Sequence, residues 1–330
     1  MKEEKVNVKN KISKKLHSTE LGKELLFNVK KLTGKIHRPD MEFPELISLE
    51  TASVCNLRCI HCPPQSKELR DQGRPLGLMD INLFMKLMDE IDKHGRRRIA
   101  LHKDGEPLLH PQVTEMIKRT KKNVDHIVYL TTNAHKLTDE IADLIIEKKI
   151  DVVNFSIGAA TEEFYRKVRG KNFNKVMNNI HNYLDKVEKS EWKPRILVQI
   201  IRLPEFPEME EEIKRFKKYW KNYPVEVQVW DKLTWGVYDY KERNKNRYPC
   251  YSLWESFTVN SDGLVSACCI DWQQKLITGD TNKQSIEEIW KGGVLRNMRK
   301  LHVEGRENEL PICGSCNYWD WQQKLDEYAI

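Results

Sequence analysis

The feature that most constrains the fold is a regular alternation of apolar segments and amphipathic segments between residues 46 and 230. Short β-branched and apolar runs at 46–51, 98–102, 126–131, 152–157, 196–202 and 225–230 are typical of buried strands. The stretches between them, near 80–94, 110–122, 138–148, 161–187 and 207–221, have helical periodicity. Strict alternation of this kind produces a parallel sheet with right-handed crossovers. The six units therefore predict an α/β fold, a partial (β/α)6 TIM-like barrel.

The alternation breaks after Trp230, and residues 231–249 have no clear period. Beyond them we predict a hairpin at 260–263, a helix at 285–301 and a closing loop at 313–316, which together make a small α+β module. The predicted organisation is a basic leader (1–45), the barrel (46–235) and the C-terminal module (236–330).

The net charge of +7 resides in the leader, because residues 1–38 carry all of the excess of Lys and Arg. The rest of the sequence has no basic stripe that would indicate a nucleic-acid ligand. The apolar spacing of the leader allows two interpretations: a helix packed on the barrel, or contact with a membrane surface or a protein partner. There is no signal-peptide pattern and no apolar run long enough to span a bilayer, so we expect a cytoplasmic protein.

Eight cysteines lie in groups, which favours metal ligation over disulfides. Cys55, Cys59 and Cys62 form a C-x3-C-x2-C motif directly after the first predicted strand. Three thiolates this close can hold three corners of a 4Fe-4S cluster, which normally takes four cysteines, so one iron would remain open. A zinc site is the alternative.

The position and spacing of this triplet resemble the radical S-adenosylmethionine (SAM) superfamily. In that family the open iron chelates SAM, and reductive cleavage of SAM yields a 5′-deoxyadenosyl radical. Further segments resemble family motifs in the expected order, including Asp104-Gly105-Glu106-Pro107 after the second strand and Thr132-Asn133 after the third. The resemblance implies SAM contacts from these residues: His61, Gly105, Glu106, Pro107, Asn133, Ser156 and Arg169.

Four of the remaining cysteines, Cys250, Cys268, Cys313 and Cys316, surround the predicted hairpin and end in a C-x-x-C loop. Spacing alone allows zinc or an iron–sulfur cluster. With the hairpin and the helix that follows it, the arrangement resembles the SPASM and twitch modules of radical SAM enzymes. The short twitch form implies one auxiliary 4Fe-4S cluster, hence two clusters in all. Cys269 is not assigned to either cluster. It is either a buried small side chain or a hydrogen-atom donor.

The twitch group includes an aminocyclitol dehydrogenase and a neomycin epimerase, so we expect hydrogen abstraction from a carbon of a sugar, polyol or cyclitol. A dehydrogenase needs a base for the hydroxyl proton and passes the second electron to the auxiliary cluster. An epimerase instead returns a hydrogen atom from a thiol such as Cys269. The candidate catalytic side chains near strand ends are Lys103 and Arg202, with His102 and Lys232 as further titratable groups.

Two other functions remain open: modification of a ribosomal peptide, and a non-enzymatic zinc-binding adaptor. The resemblance to radical SAM enzymes implies a flavodoxin or ferredoxin as the reductant.

Overall fold

The computed structural model describes residues 42–66, 68–237, 247 and 249–319. The predicted leader lies outside the described residues except for its last four positions. Within the described part of the chain, no helix is long and apolar enough to cross a bilayer.

Six parallel strands form the first part of the sheet, in the chain order that the alternation predicted. They are β1 (Leu46–Leu49), β2 (Arg98–Ala100), β3 (Ile127–Thr132), β4 (Val152–Ser156), β5 (Arg195–Arg202) and β6 (Glu226–Asp231). Each strand pairs with the next in parallel, from β1 with β2 through to β5 with β6. All six carboxyl ends therefore meet at one edge, where side chains from distant parts of the sequence come together.

Helices connect these strands and cover the sheet. They are α1 (Ile81–Asp92), α2 (Val113–Thr120), α3 (Asp139–Glu147), α4 (Glu162–Val168), α5 (Phe173–Lys189) and α6 (Met209–Trp220). Asp80 caps α1 by accepting hydrogen bonds from the backbone amides of Asn82 and Leu83, as predicted. The apolar faces of the helices and both faces of the strands form one core.

The single helix predicted over 161–187 is wrong, because the chain breaks into α4 and α5. Gly170 has φ +141° and Asn172 has φ +71°, which are left-handed conformations that a helix cannot contain. Arg169 and Gly170 thus lie in a tight connection and not within a helix. This break turns the end of α4 toward the loop that carries the cysteine triplet.

The C-terminal part contains α7 (Ser252–Glu255), β7 (Ser256–Val259), β8 (Leu264–Ser266), β9 (Ile277–Asp280), α8 (Ile286–Trp290) and α9 (Gly293–Val303). The predicted hairpin is confirmed, since β7 and β8 are antiparallel and joined through 260–263. Strand β7 also pairs in parallel with β1, so the described strands form one sheet in the order β6-β5-β4-β3-β2-β1-β7-β8-β9. The C-terminal module is therefore joined to the barrel edge through its first strand. The boundary at 235/236 stays a prediction.

Candidate active site

The cysteine triplet lies on one loop that leaves the carboxyl end of β1. The backbone amide of Cys62 donates to the carbonyl of Cys59 (3.1 Å), and the amide of Leu57 donates to Sγ of Cys55 (3.4 Å). Gln65 donates from Nε2 to the carbonyl of Ser53 (2.9 Å) and closes the loop. Backbone bonds and one buried amide side chain thus hold the three sulfur atoms on a short, defined segment.

The three thiols are in a buried environment and interact electrostatically with one another. The pKa of Cys55 is raised to about 11, chiefly by burial, and the nearby Glu106 and Cys59 act in the same direction. Burial, Cys59 and other neighbours also raise the pKa of Cys62 well above its usual value. Grouped buried thiols of this kind need a cation to become thiolates, which iron supplies. The donor set fits three corners of a 4Fe-4S cluster.

A carboxylate network follows β2 and β3 beside the triplet. The carboxylate of Glu106 accepts hydrogen bonds from Thr132 Oγ1 (2.6 Å), the amide of Asn133 (2.7 Å) and the amide of Leu108 (3.1 Å). Burial raises the pKa of Glu106, and the hydrogen bonds from Asn133 and Thr132 oppose that rise. The side-chain amide of Asn133 lies 3.8 Å from Sγ of Cys55. The predicted SAM residues Glu106 and Asn133 are therefore brought to the cysteine loop.

Gly105 and Pro107 shape this network. A Cβ on Gly105 would lie 2.3 Å from the carbonyl oxygen of Ala52 and 2.5 Å from that of Val54, so only glycine fits. Pro107 begins a short 3-10 turn, Pro107–Leu109, for which Glu106 is the cap. The motif is thus pressed against the segment that leads into the triplet.

Arg169 reaches the triplet from the α4–α5 connection. Its Nη1 donates to Oγ of Ser156 (3.1 Å) at the end of β4. Burial tends to lower the pKa of Arg169, but Cys59, Tyr165 and Cys55 outweigh it and raise the pKa. Its Nε is buried and has no hydrogen-bond partner among the described residues. A buried cation with a donor to spare is suited to an anionic group such as the SAM carboxylate.

His61 lies half-buried between Cys59 and Cys62. Burial, and then the positive charges of Arg169 and Lys232, lower the pKa of His61 to about 3. Its Nδ1 has no partner within the described part of the chain. A neutral imidazole with one uncommitted ring nitrogen is compatible with contact to a purine ring.

The second group of cysteines also converges. Burial raises the pKa of Cys268 well above its usual value, and the neighbouring Cys269, Cys316, Cys313 and Cys250 raise it further. The amide of Cys316 donates to the carbonyl of Cys313 (3.2 Å). All four predicted ligands therefore come together between β8 and the C-terminal loop. In the ranges that the structure describes, no three His, Cys, Asp or Glu side chains form a site for a single metal ion.

A buried ionic cluster lies between the two cysteine groups. It consists of Glu50, Arg74, Lys103 and Asp104, whose side chains are at most 3% exposed. Arg74 pairs with both Glu50 and Asp104, the latter at 3.3 Å, and Lys103 pairs with Asp104. Asp104 stands where the family motif has a glycine, which was the one sequence signal for this cluster.

Lys103 links the barrel to the C-terminal module. Its ammonium group donates to the backbone carbonyl of Asp271 (3.1 Å), two residues beyond Cys269. Burial alone would lower the pKa of Lys103, but the carboxylates of Asp104 and Glu50 outweigh it and raise the pKa. These contacts favour the ammonium form of Lys103, so they support a role as a positive charge more than a role as a base.

The other predicted catalytic residues fall in different places. Cys269 lies close to Lys103 and to the hydroxyl of Tyr318, and burial raises its pKa to about 11. Arg202 is paired at the surface with Glu210 and Asp231, both at 2.7 Å, so the structure offers no support for its catalytic role. Lys232 pairs with Glu205 at 2.7 Å. His102 has a buried Nδ1 without a partner among the described residues, and burial lowers its pKa to about 4.

Comparison with known proteins identifies the class. Residues 49–216 match the model of the radical SAM superfamily, and residues 250–317 match the model of SPASM, an iron–sulfur cluster-binding domain. The chain belongs to the radical SAM superfamily. It is a radical SAM enzyme with a SPASM domain, whose cofactors are SAM and two iron–sulfur clusters. The zinc-adaptor hypothesis is therefore wrong, because the C-terminal cysteines fall in a domain that binds iron and sulfide.

Individual relatives match over very different lengths. The chain is 24% identical over 281 residues to the S-adenosyl-L-methionine-dependent 2-deoxy-scyllo-inosamine dehydrogenase of Niallia circulans, which covers 82% of this chain and 92% of that protein. It is 36% identical over 110 residues to the tungsten-containing aldehyde ferredoxin oxidoreductase cofactor-modifying protein of Pyrococcus furiosus. That match spans 33% of this chain and 29% of the relative.

Solved structures show the same fold. BtrN in complex with AdoMet and 2-DOIA superposes with a TM-score of 0.58 at 21% identity, over 83% of this chain and 92% of that one. Native anSMEcpe with bound AdoMet superposes with a TM-score of 0.61 at 16% identity, over 86% and 95% of the two chains. The predicted α/β architecture is confirmed.

Proposed function

We propose that this enzyme oxidises an alcohol carbon of a sugar, polyol or cyclitol. The observation that carries the proposal is the position of Lys103, which joins the Glu106 segment to the loop that holds Cys268 and Cys269. Oxidation by hydrogen abstraction leaves one more electron to be removed, so the auxiliary site must lie in contact with the substrate side of the barrel. The relative of similar length, a cyclitol dehydrogenase, supports the same substrate class.

The proposed ligands of the first cluster are Cys55, Cys59 and Cys62, and those of the auxiliary cluster are Cys250, Cys268, Cys313 and Cys316. When bound, the first cluster supplies the electron that cleaves SAM and generates the 5′-deoxyadenosyl radical. Glu106 and Asn133 would bind the amino end of SAM, and Arg169, supported by Ser156, would bind its carboxylate. His61 would lie against the adenine, and Gly105 and Pro107 would hold Glu106 in place.

His102 is the proposed acceptor of the hydroxyl proton. Its imidazole is neutral near pH 7, because burial lowers its pKa to about 4, and its buried Nδ1 has no hydrogen-bond partner among the described residues. Lys103 next to it would stabilise the developing negative charge on the substrate oxygen. Neither role requires Arg202 or Lys232.

The test is anaerobic incubation of the reconstituted enzyme with SAM, a reductant and a panel of carbon-deuterated cyclitols and sugars, beginning with 2-deoxy-scyllo-inosamine. The proposal expects a carbonyl product and deuterium in 5′-deoxyadenosine for at least one member. His102→Asn should lower turnover, while His181→Asn, which lies on α5 against Tyr219 and Trp220 of α6, should not. Deuterium transfer without any carbonyl product would contradict the dehydrogenase assignment.

A second candidate is a radical epimerase, favoured by the position of Cys269. This thiol lies close to Lys103 and to the Tyr318 hydroxyl, and it is not needed as a fourth auxiliary ligand. An epimerase would incorporate deuterium from D2O at the reacting carbon and would lose that incorporation in Cys269→Ala. A dehydrogenase would form its carbonyl product in both proteins, so the two candidates give opposite results.

A further inference from the structure

Arg247 is a largely buried cation beside the auxiliary cysteines. It lies just before Cys250 in the sequence, and its side chain is 13% exposed. Its Nη1 donates a hydrogen bond to the backbone carbonyl of Cys313 (2.5 Å). Its guanidinium carbon lies 5.6 Å from the centre of the Trp319 ring, and Trp319 in turn packs against Cys250 in a small buried cluster. These contacts place the guanidinium group beside two of the proposed auxiliary ligands.

The carboxylate of Glu307 is the ion-pair partner of Arg247. Glu307 begins the short 3-10 turn Glu307–Glu309, and its Oε1 lies 3.6 Å from Nε of Arg247. That separation is too long for a hydrogen bond, and the buried Nε has no hydrogen-bond partner among the described residues. Arg247 therefore keeps one uncommitted donor close to the cysteines, as well as its charge.

The positive charge of Arg247 acts on three of the four proposed ligands. Burial raises the pKa values of Cys250, Cys313 and Cys316, and the charge of Arg247 opposes that rise in each of them. Glu307 raises the pKa of Cys313, but Arg247 has the larger influence there. The ion pair therefore presents its positive end to the cysteines.

A cation in this position favours the reduced form of an iron–sulfur cluster. Net charge, hydrogen bonds to sulfur and solvent exposure are among the factors that set the reduction potential of such clusters. A cluster held by four thiolates becomes more negative when it accepts an electron. A poorly screened positive charge next to it therefore stabilises the reduced form more than the oxidised form.

We propose that Arg247 is a positioning residue of the auxiliary site, which raises the reduction potential of the auxiliary cluster relative to a neutral side chain. This role rests on the proposed function, which supplies the electron that the cluster accepts. One electron leaves the substrate radical, which is oxidised to the carbonyl, and enters the auxiliary cluster, which is reduced. The hydroxyl proton passes to His102. If Arg247 only held the loop at 313–316 through the Cys313 carbonyl, its charge would not affect the potential.

The test measures the potential directly and without substrate. The parent protein is the full chain with Cys55, Cys59 and Cys62 replaced by alanine, so that the auxiliary cluster is the one iron–sulfur centre left after reconstitution. Electron paramagnetic resonance follows the reduced cluster in a redox titration. Arg247→Gln keeps a hydrogen-bond donor but removes the charge, and it should lower the ratio of reduced to oxidised cluster at a fixed potential about tenfold, or about 59 mV for a one-electron couple. Arg247→Lys keeps the charge and should restore most of that ratio.

Two further variants separate charge from structure. Glu307→Gln removes the negative partner and should move the potential in the opposite direction, upward. Arg195→Gln is the matched control, because Arg195 also pairs with a glutamate, Glu226, at 2.7 Å. Arg195 begins β5, at the sheet edge opposite the carboxyl ends of the strands, so its loss should leave the potential unchanged.

Equal potentials in the parent, Arg247→Gln and Glu307→Gln proteins would overturn the proposal. If Arg247→Gln does not retain about four iron per chain, the Glu307→Gln protein decides, and a potential that does not rise there overturns the proposal equally. The proposed function fails separately: shifts of opposite sign in these variants, together with a wild type that forms no carbonyl product, would uphold the role of Arg247 and reject the dehydrogenase assignment.

Discussion

The ammonium group of Lys103 lies 3.1 Å from the backbone carbonyl of Asp271, and this hydrogen bond joins the end of β2 to the loop after Cys269. Lys103 also forms an ion pair with the adjacent Asp104, and both side chains are almost completely buried. The same contact thus connects the barrel, the ionic cluster and the auxiliary cysteines. A buried charge that holds two parts of a molecule together has measurable consequences.

Lys103→Met should strongly destabilise the protein. The substitution leaves Glu50 and Asp104 with Arg74 as their remaining cluster cation, and an uncompensated buried charge costs about 3–5 kcal/mol. The measurement is the free energy of unfolding by denaturant. Lys167→Met is the matched control, because Lys167 also makes two ion pairs but is 44% exposed, and it should change stability little. Equal effects in the two variants would contradict the buried cluster.

Gly105→Ala should prevent the Glu106 segment from reaching the cysteine loop. A Cβ at this position would lie within 2.6 Å of backbone atoms of residues 52–54, which cannot move independently of β1. We expect a loss of about 1–3 kcal/mol of stability, by overpacking, and loss of SAM binding. Gly77→Ala is the control, since a Cβ there meets nothing within 4 Å. Thermal melts and equilibrium dialysis with SAM distinguish the two, and normal SAM binding by Gly105→Ala would rule out this arrangement.

The fold was largely predictable because its signals are local. The apolar runs located β1 to β6, and Asp80 marked the start of α1. Two features depended on contacts far apart in the sequence. The parallel pairing of β7 with β1 joins residues separated by more than 200 positions, and no periodicity predicts it. The break between α4 and α5 required the left-handed conformations at Gly170 and Asn172, which the apolar periodicity of 161–187 masked.

The candidate site was predictable to a different degree. Motif spacing identified the cysteine triplet, Glu106, Asn133 and Arg169, and the structure places these near one another. The partners of Lys103 were not predictable, because Glu50 and Arg74 carry no motif and meet only in the folded chain. For the same reason the sequence does not reveal that the carboxylates of Asp104 and Glu50 favour the ammonium form of Lys103.

The stability of the protein should depend on pH through His102. Its folded pKa of about 4 lies below the usual value of 6.5, so the unfolded chain binds more protons between these values. Stability contributed by the neutral imidazole is complete above pH 6.5 and falls as the pH is lowered. Between pH 8 and pH 5.5 this loss is about 1.4 kcal/mol for His102 alone. The measurement is the free energy of unfolding by denaturant for wild type and His102→Asn at both pH values. The contribution of His102 is the difference between the stability losses of the two proteins.

Because other groups also titrate in this range, the comparison between proteins carries the result. If His102→Asn and wild type lose the same stability between the two pH values, His102 is not a buried neutral base.

The most direct test of the central claim is the iron and sulfide content of the anaerobically reconstituted protein, measured with 5′-deoxyadenosine formation from SAM and dithionite. Two 4Fe-4S sites predict about eight iron per chain in wild type and about four when Cys55, Cys59 and Cys62 are all replaced by alanine. Only wild type should then form 5′-deoxyadenosine. Zinc in place of iron, or SAM cleavage that survives loss of the triplet, would contradict the account.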